Sequence, residues 1–281
     1  MSKLIAAIKL IRPVNGLVAA LSVVPAASIA CGELTFPWRE SGLIFFLVSF
    51  GYAINDIFDL RADLINRPKR AIPSGVLSVK NAWVIAVSFL IAGTAFLFGA
   101  NPICALYYLS VASALYLYAA TISSWLIVGN VLVAVLCASV FYLGALGCEV
   151  EGKAVELLIL SAILTFLYHL GREIVKDIED MSGDKAIKRS TVPLKWGPNR
   201  ARIAAIALFG VLIATSYSGY WVLELSRSYL VAISVGVNLP LALIFIIYMR
   251  KGAEEGAGQT SMALKVIMLP ALMALLLAGV N

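Results

Sequence analysis

The chain has 281 residues, of which 61% are apolar or aromatic and only 14% charged, with a mean hydropathy of +0.94. A soluble globule of this make-up would expose more apolar surface than water tolerates, so the composition excludes one and points to a polytopic membrane protein. The net charge of +6 has no soluble basic domain to carry it, so nucleic acid is not an expected partner.

Apolar runs follow one another near residues 14–31, 41–58, 81–99, 102–120, 126–147, 154–175, 201–221, 228–248 and 262–280. Each is long enough to cross a hydrocarbon core of about 30 Å. Lipid offers no water to backbone groups, and a barrel would show alternation, so all nine runs are predicted to be helices. The expected fold is all-α, a polytopic membrane protein with nine transmembrane helices around a central cavity. Cytoplasmic Asp-rich caps close it in a single domain over residues 1–281.

The first run begins after Arg12-Pro13 and leads into further spans, so it is read as a span and not as a cleaved signal peptide. Asn15, at its start, is read either as a helix cap or as a candidate ligand contact. The cysteines Cys31, Cys104, Cys137 and Cys148 form no C-x-x-C pair and are read as small buried apolar residues. Cys31 and Cys148 both fall near outer helix ends, but no disulfide is expected between them.

The second run ends in "NDIFDLRADLINRPKRAIPSG", where Asn55 precedes Asp56, Asp59 and Asp63, and Arg67, Lys69 and Arg70 follow. The sixth run ends in the same pattern: Arg172 and Lys176, then Asp177, Asp180 and Asp184, then Lys185 and Lys188. The connections of roughly 59–80 and 176–200 are long where most others are short, which places the chemistry in the motif-and-loop segments 55–80 and 172–200. Four spans separate the copies, as in a pseudo-repeat of a helix and its cap.

Positions i, i+3 and i+7 lie within about 60° of one another on a helix turning about 100° per residue. Each motif therefore presents three carboxylates on one stripe if the helix persists that far. Like charges crowded at a membrane boundary call for bound cations, and all-oxygen ligation suits Mg²⁺ completed by phosphate oxygens. The listed Lys and Arg are then candidates to hold the phosphates. With the N-terminus inside, 19 of the 22 Lys and Arg fall on the inner side, which predicts a multi-pass protein of the cell membrane with its N-terminus and active-site loops cytoplasmic. A cation-coupled transporter is the rival from another class, but it would carry its carboxylates at the midplane and not at cytoplasmic ends.

Together the two Asp motifs resemble those of the UbiA superfamily of intramembrane prenyltransferases. The resemblance covers nearly the whole chain and implies nine spans, Mg²⁺ and an isoprenoid diphosphate. Within that superfamily, "LIRPVNGLVAALSVV" and "REIVKDIED" are most similar to archaeal enzymes that transfer a geranylgeranyl group from its diphosphate to geranylgeranylglyceryl phosphate. The implied acceptor is a lipid phosphate drawn from the membrane, with an aromatic quinone precursor as the alternative. Asp56, Asp59, Asp63, Asp177, Asp180 and Asp184 are the implied metal ligands. The family pattern also includes Tyr116, whose ring face suits a passing carbocation. Many relatives have a lysine five residues beyond this tyrosine, where this chain has Thr121.

Overall fold

A computed structural model describes residues 2–279. Position 280, read as the end of the ninth run, lies outside the described residues, as do the outermost residues of the predicted domain. The described residues form helices and no strands. Among them, nine helical stretches are long and apolar enough to cross a membrane: Lys3–Cys31, Trp38–Phe58, Val79–Leu97, Pro102–Ala120, Val128–Ala145, Lys153–Ala186, Pro198–Val222, Arg227–Met249 and Ala253–Gly279. They are called spans 1 to 9 below.

Three spans outrun the apolar runs that announced them. Span 1 starts at Lys3, span 6 continues to Ala186, and span 9 starts at Ala253. Past the apolar core nothing stops a helix until a cap or a breaker does, and charged residues are good helix formers in water. The loop expected over roughly 176–200 shrinks accordingly to a short connection and the helix Val192–Trp196. Span 1 is interrupted at Arg12, which adopts a left-handed conformation with φ of 47° ahead of Pro13, because proline disfavours a helical residue before it.

The chain divides into two compact units. One comprises the described residues through Leu21, Pro37–Gly129 and Ser182–Ser190. Span 2 is its centre and packs against Pro13–Leu21, span 3 and span 4. Phe46 fills the space toward span 3, with ring centroids 5.5 Å from Phe89 and 5.6 Å from Phe96. Tyr108 on span 4 donates its hydroxyl to the Leu90 carbonyl at 2.6 Å, so the buried phenol is satisfied.

In the same unit the last turns of span 6 rest on the short helix Leu60–Asn66. The Gly183 N–H donates to Asn66 Oδ1 at 2.8 Å. A Cβ on Gly183 would collide with the Asn66 amide and stand 2.7 Å from the Ala62 carbonyl oxygen. Gly183→Ala is therefore expected to destabilise the protein by about 1–3 kcal/mol through overpacking, read as a lowered melting temperature in detergent.

The other unit comprises Ser22–Phe36, Asn130–Met181 and the described residues from Thr191 onward. Its helix Val23–Cys31 packs on Val140–Ala145 and on span 9. Gly144 permits the first approach, since a Cβ there would lie 2.5 Å from that of Ala26. A disulfide joins Cys31 to Cys148, correcting the expectation of four unbridged cysteines; only Cys104 and Cys137 remain as free thiols. The bridge spans 117 positions, so it removes much freedom from the unfolded chain. Cys148→Ser is expected to cost about 2–4 kcal/mol, measured as a shift in thermal unfolding under oxidising conditions.

Span 8 contains a π-helical turn at Ser234–Asn238. Around it the Tyr217 hydroxyl meets Ser234 Oγ at 3.1 Å, and Asn238 Nδ2 donates to Ser216 Oγ at 3.0 Å.

Candidate active site

The first acidic motif sits where span 2 gives way to the helix Leu60–Asn66. Asp59 is the junction, yet hydrogen bonding runs through it: its N–H reaches the Asn55 carbonyl and its carbonyl receives the Asp63 N–H, both at 2.8 Å. The stripe predicted from the spacing therefore survives the junction. Asp56 and Asp63 are 4% and 3% exposed, and Asp59 is half-buried. Buried carboxylates need partners.

Arginines supply them. Arg12 meets Asp56 at 2.5 Å, and Arg70 reaches Asp56 at 3.1 Å and also Asp63. Arg67 lies 3.9 Å from Asp63, one turn along the same helix. Asn55 Nδ2 donates to Asp59 Oδ2 at 2.5 Å and orients that carboxylate. Burial pushes the Asp63 carboxyl above the ordinary range; Arg70 opposes this, and the charges of Asp56 and Asp59 add to it.

The second motif lies on one continuous helix, span 6, so Asp177, Asp180 and Asp184 share a stripe as the spacing requires. Asp184 falls in the same compact unit as the first motif and is 3% exposed. Arg189 binds it at 3.2 Å and binds Asp59 as well. Burial alone would lower the Arg189 pKa, but the charges and hydrogen bonds of Asp59 and Asp184 outweigh it and hold the guanidinium firmly protonated. One side chain thus ties Asp59 of the first motif, 130 residues away in sequence, to Asp184 of the second.

In the other unit Asn130 Nδ2 donates to Asp177 Oδ2 at 2.8 Å, as Asn55 does for Asp59. Arg172 and Lys176 pair with Glu173 at 2.8 Å and 3.5 Å. Glu173 is 5% exposed, a buried acid one turn before Asp177 that the motif spacing does not announce.

The remaining candidates sit as follows. Asn15 is half-buried in the first turn after Arg12. Lys69 and Lys185 are exposed, and Lys188 is exposed in a left-handed turn with φ of 59°. Tyr116 is 45% exposed and belongs to an aromatic group, with ring centroids 5.8 Å from Phe58 and 6.5 Å from Trp83. Thr121 ends span 4, its hydroxyl donating to the Leu117 carbonyl at 3.0 Å. Among the described residues, no three acidic, histidine or cysteine side chains gather tightly enough to hold an ion by themselves. The donors at hand are carboxylate oxygens in ones and twos, the set from which Mg²⁺ is usually bound when phosphate and water complete the shell.

Sequence reasoning left Arg12, Arg189, Asn130 and Glu173 outside the candidate residues. Arg189 stands in the basic tail of the second motif, and Arg12 directly before Pro13; these were the only local signals.

The chain, with nine apolar helical spans among its described residues and paired acidic motifs at helix ends, is that of a polytopic membrane enzyme. It belongs to the UbiA prenyltransferase family, whose model matches residues 14–277, and it is a prenyltransferase. It is 36% identical over 253 residues to a digeranylgeranylglyceryl phosphate synthase of Methanosarcina mazei, covering 88% of this chain and 85% of that one. It is 31% identical over 278 residues to the synthase of the same name from Ignicoccus hospitalis, covering 98% and 91%. A solved structure described as digeranylgeranylglyceryl phosphate synthase in membranes superposes with a TM-score of 0.71 at 28% identity, over 100% of this chain and 99% of that one. A UbiA homologue from Archaeoglobus fulgidus bound to GPP and Mg²⁺ shares the fold, with a TM-score of 0.69 at 18% identity over 96% and 99%.

Proposed function

We propose that this protein transfers a geranylgeranyl group from geranylgeranyl diphosphate to geranylgeranylglyceryl phosphate in a Mg²⁺-dependent reaction of ether-lipid synthesis. The observation that carries the reading is Arg189 held between Asp59 and Asp184, which brings the ends of both acidic motifs together. Relatives named digeranylgeranylglyceryl phosphate synthase support prenyl transfer in ether-lipid synthesis, and the two substrates are those the sequence resemblance implies.

Asp56, Asp59, Asp63, Asp177, Asp180 and Asp184 are the proposed metal ligands, and the all-oxygen chemistry of the set fits Mg²⁺. When bound, Mg²⁺ neutralises the diphosphate and stabilises it as a leaving group. The chain's own residues do the rest. Asn55 and Asn130 fix the orientation of Asp59 and Asp177. Arginines at the motifs offer planar donors that suit phosphate oxygens. The allylic C–O bond breaks with its electron pair leaving on the diphosphate, the acceptor hydroxyl oxygen bonds the prenyl cation so formed, and the hydroxyl proton passes to the departing diphosphate or to water. Apolar walls keep water from capturing the prenyl cation first, and Tyr116, beside Phe58 at the end of span 2, presents an aromatic face suited to that cation.

The acidic ends are proposed to face the cytoplasm. Two features support this: most Lys and Arg fall on that side, and the Cys31–Cys148 bridge lies at span ends threaded to the other side, where oxidising conditions preserve it. A cysteine introduced as Lys188→Cys is expected to react with a membrane-impermeant maleimide only after the cells are opened; labelling of intact cells would reverse the orientation.

Detergent-purified protein given geranylgeranyl diphosphate and Mg²⁺ is expected to release diphosphate only when geranylgeranylglyceryl phosphate is present, and to stop when EDTA is added. Release driven instead by an aromatic acceptor would reassign the substrate. No release with either acceptor would remove the proposed reaction.

A further inference from the structure

Beside the first acidic motif is a cavity of about 460 Å³ lined by Lys9, Arg12, Arg67, Lys69 and Arg70, with Asp56 in its wall. Five cations face one carboxylate there. Arg12 and Arg70 are both engaged by Asp56, and Arg67 lies near Asp63. Among the described residues, neither Lys9 nor Lys69 stands in an ion pair, and both are exposed at the mouth. The pocket therefore keeps positive charge after its internal pairs are formed, which suits an anion that needs no metal to neutralise it.

Its shape is also fixed. Arg12 sits in a left-handed backbone conformation unusual for a side-chain-bearing residue, with its guanidinium 4.4 Å from the centre of the Tyr52 ring. Such strain persists where surrounding contacts determine it, and it concentrates at ligand clamps. The helix that carries Lys9 also exposes Leu4, Ile5 and Ile8, with Ile5 one turn before Lys9 on the same face. In a membrane protein such a face meets hydrocarbon tails while its lysine reaches the headgroup level.

We infer that this pocket holds the phosphate head of a lipid phosphomonoester, with Lys9 and Lys69 as its outer anchors and the lipid tail along the exposed face of Lys3–Ile11. In the reaction proposed above, and resting on that reading, this lipid is the acceptor. Its monophosphate would then be held by Lys9 and Lys69 on the outer side of the pocket, while Asp56 in the wall stays with the metal that takes the diphosphate, so that the two anionic substrates draw on different cations.

The test measures binding to the purified full-length protein of three probes: oleoyl lysophosphatidate, inorganic phosphate, and geranylgeranyl diphosphate with Mg²⁺. The double variant Lys9→Glu/Lys69→Glu, with its melting temperature checked, is expected to bind lysophosphatidate at least about tenfold more weakly and the diphosphate within about twofold of the original. Lys9→Arg/Lys69→Arg is expected to bind both like the original. Unchanged lysophosphatidate binding in the Glu variant would overturn the site, and an equal loss for the diphosphate would assign the pocket to the donor. Inorganic phosphate binding as tightly as lysophosphatidate would overturn the lipid-borne source. Binding needs no turnover, so headgroup-specific binding without any transfer would sink the reaction while leaving the site standing.

Discussion

Asp59→Asn is expected to slow prenyl transfer about 10²–10³-fold while leaving the protein folded. The amide has the shape of the carboxylate, so the junction between span 2 and Leu60–Asn66 keeps its backbone hydrogen bonds. What changes is charge: the variant loses the carboxylate proposed as a metal ligand, which Asn55 and Arg189 hold in place. The Asn55 amide, which now donates to Asp59 Oδ2, can do so only to the variant's single carbonyl oxygen. Initial rates over a Mg²⁺ series check this, since a lost ligand is not restored by more metal if its charge also steadied the leaving group. Undiminished turnover would remove Asp59 from the chemistry.

Arg189→Ala is expected to cost about 3–5 kcal/mol of stability, because it leaves two carboxylates without their shared cation. Asp184 and Arg189 have little exposed side chain, so water cannot take over the pairing cheaply. Arg189→Lys should recover only part of the loss. A point charge satisfies one carboxylate well, whereas the planar guanidinium offers separate donors to Asp59 and Asp184 at once. Thermal or denaturant unfolding of the three proteins in one detergent ranks them; an alanine variant as stable as the original would mean the tie between the motifs carries no energy.

The spans were legible because hydrocarbon thickness imposes a length and an apolarity that local sequence displays. What happens past the lipid was not. The helical stretches 3–11, 176–186 and 253–261 carry charges, and a charged segment reads equally well as helix or loop until its caps are known. The acidic spacing of both motifs was legible for the same local reason, as was the prenyltransferase family. The partners of those acids were not, because Arg12 reaches Asp56 across 44 positions and Arg189 reaches Asp59 across 130. No periodicity encodes such a pairing. The Cys31–Cys148 bridge escaped in the same way: its location at two outer helix ends was visible, but the approach of those ends depends on the packing of Val23–Cys31 against Val140–Ala145.

The wide turn at Ser234–Asn238 winds one residue more into span 8 than an α-helix needs. Wound instead as ordinary α-helix, the same sequence would swing every later residue by about 100°. Phe245 would leave Phe209, whose ring centroid is 4.7 Å away, and Tyr248 would leave the Ala253 carbonyl it now reaches at 2.8 Å. The wide turn acts as a phase-setter: by absorbing the surplus residue it decides which side of the later half of the span looks inward, and the same sequence wound without it would cross the bilayer equally well and present the wrong face.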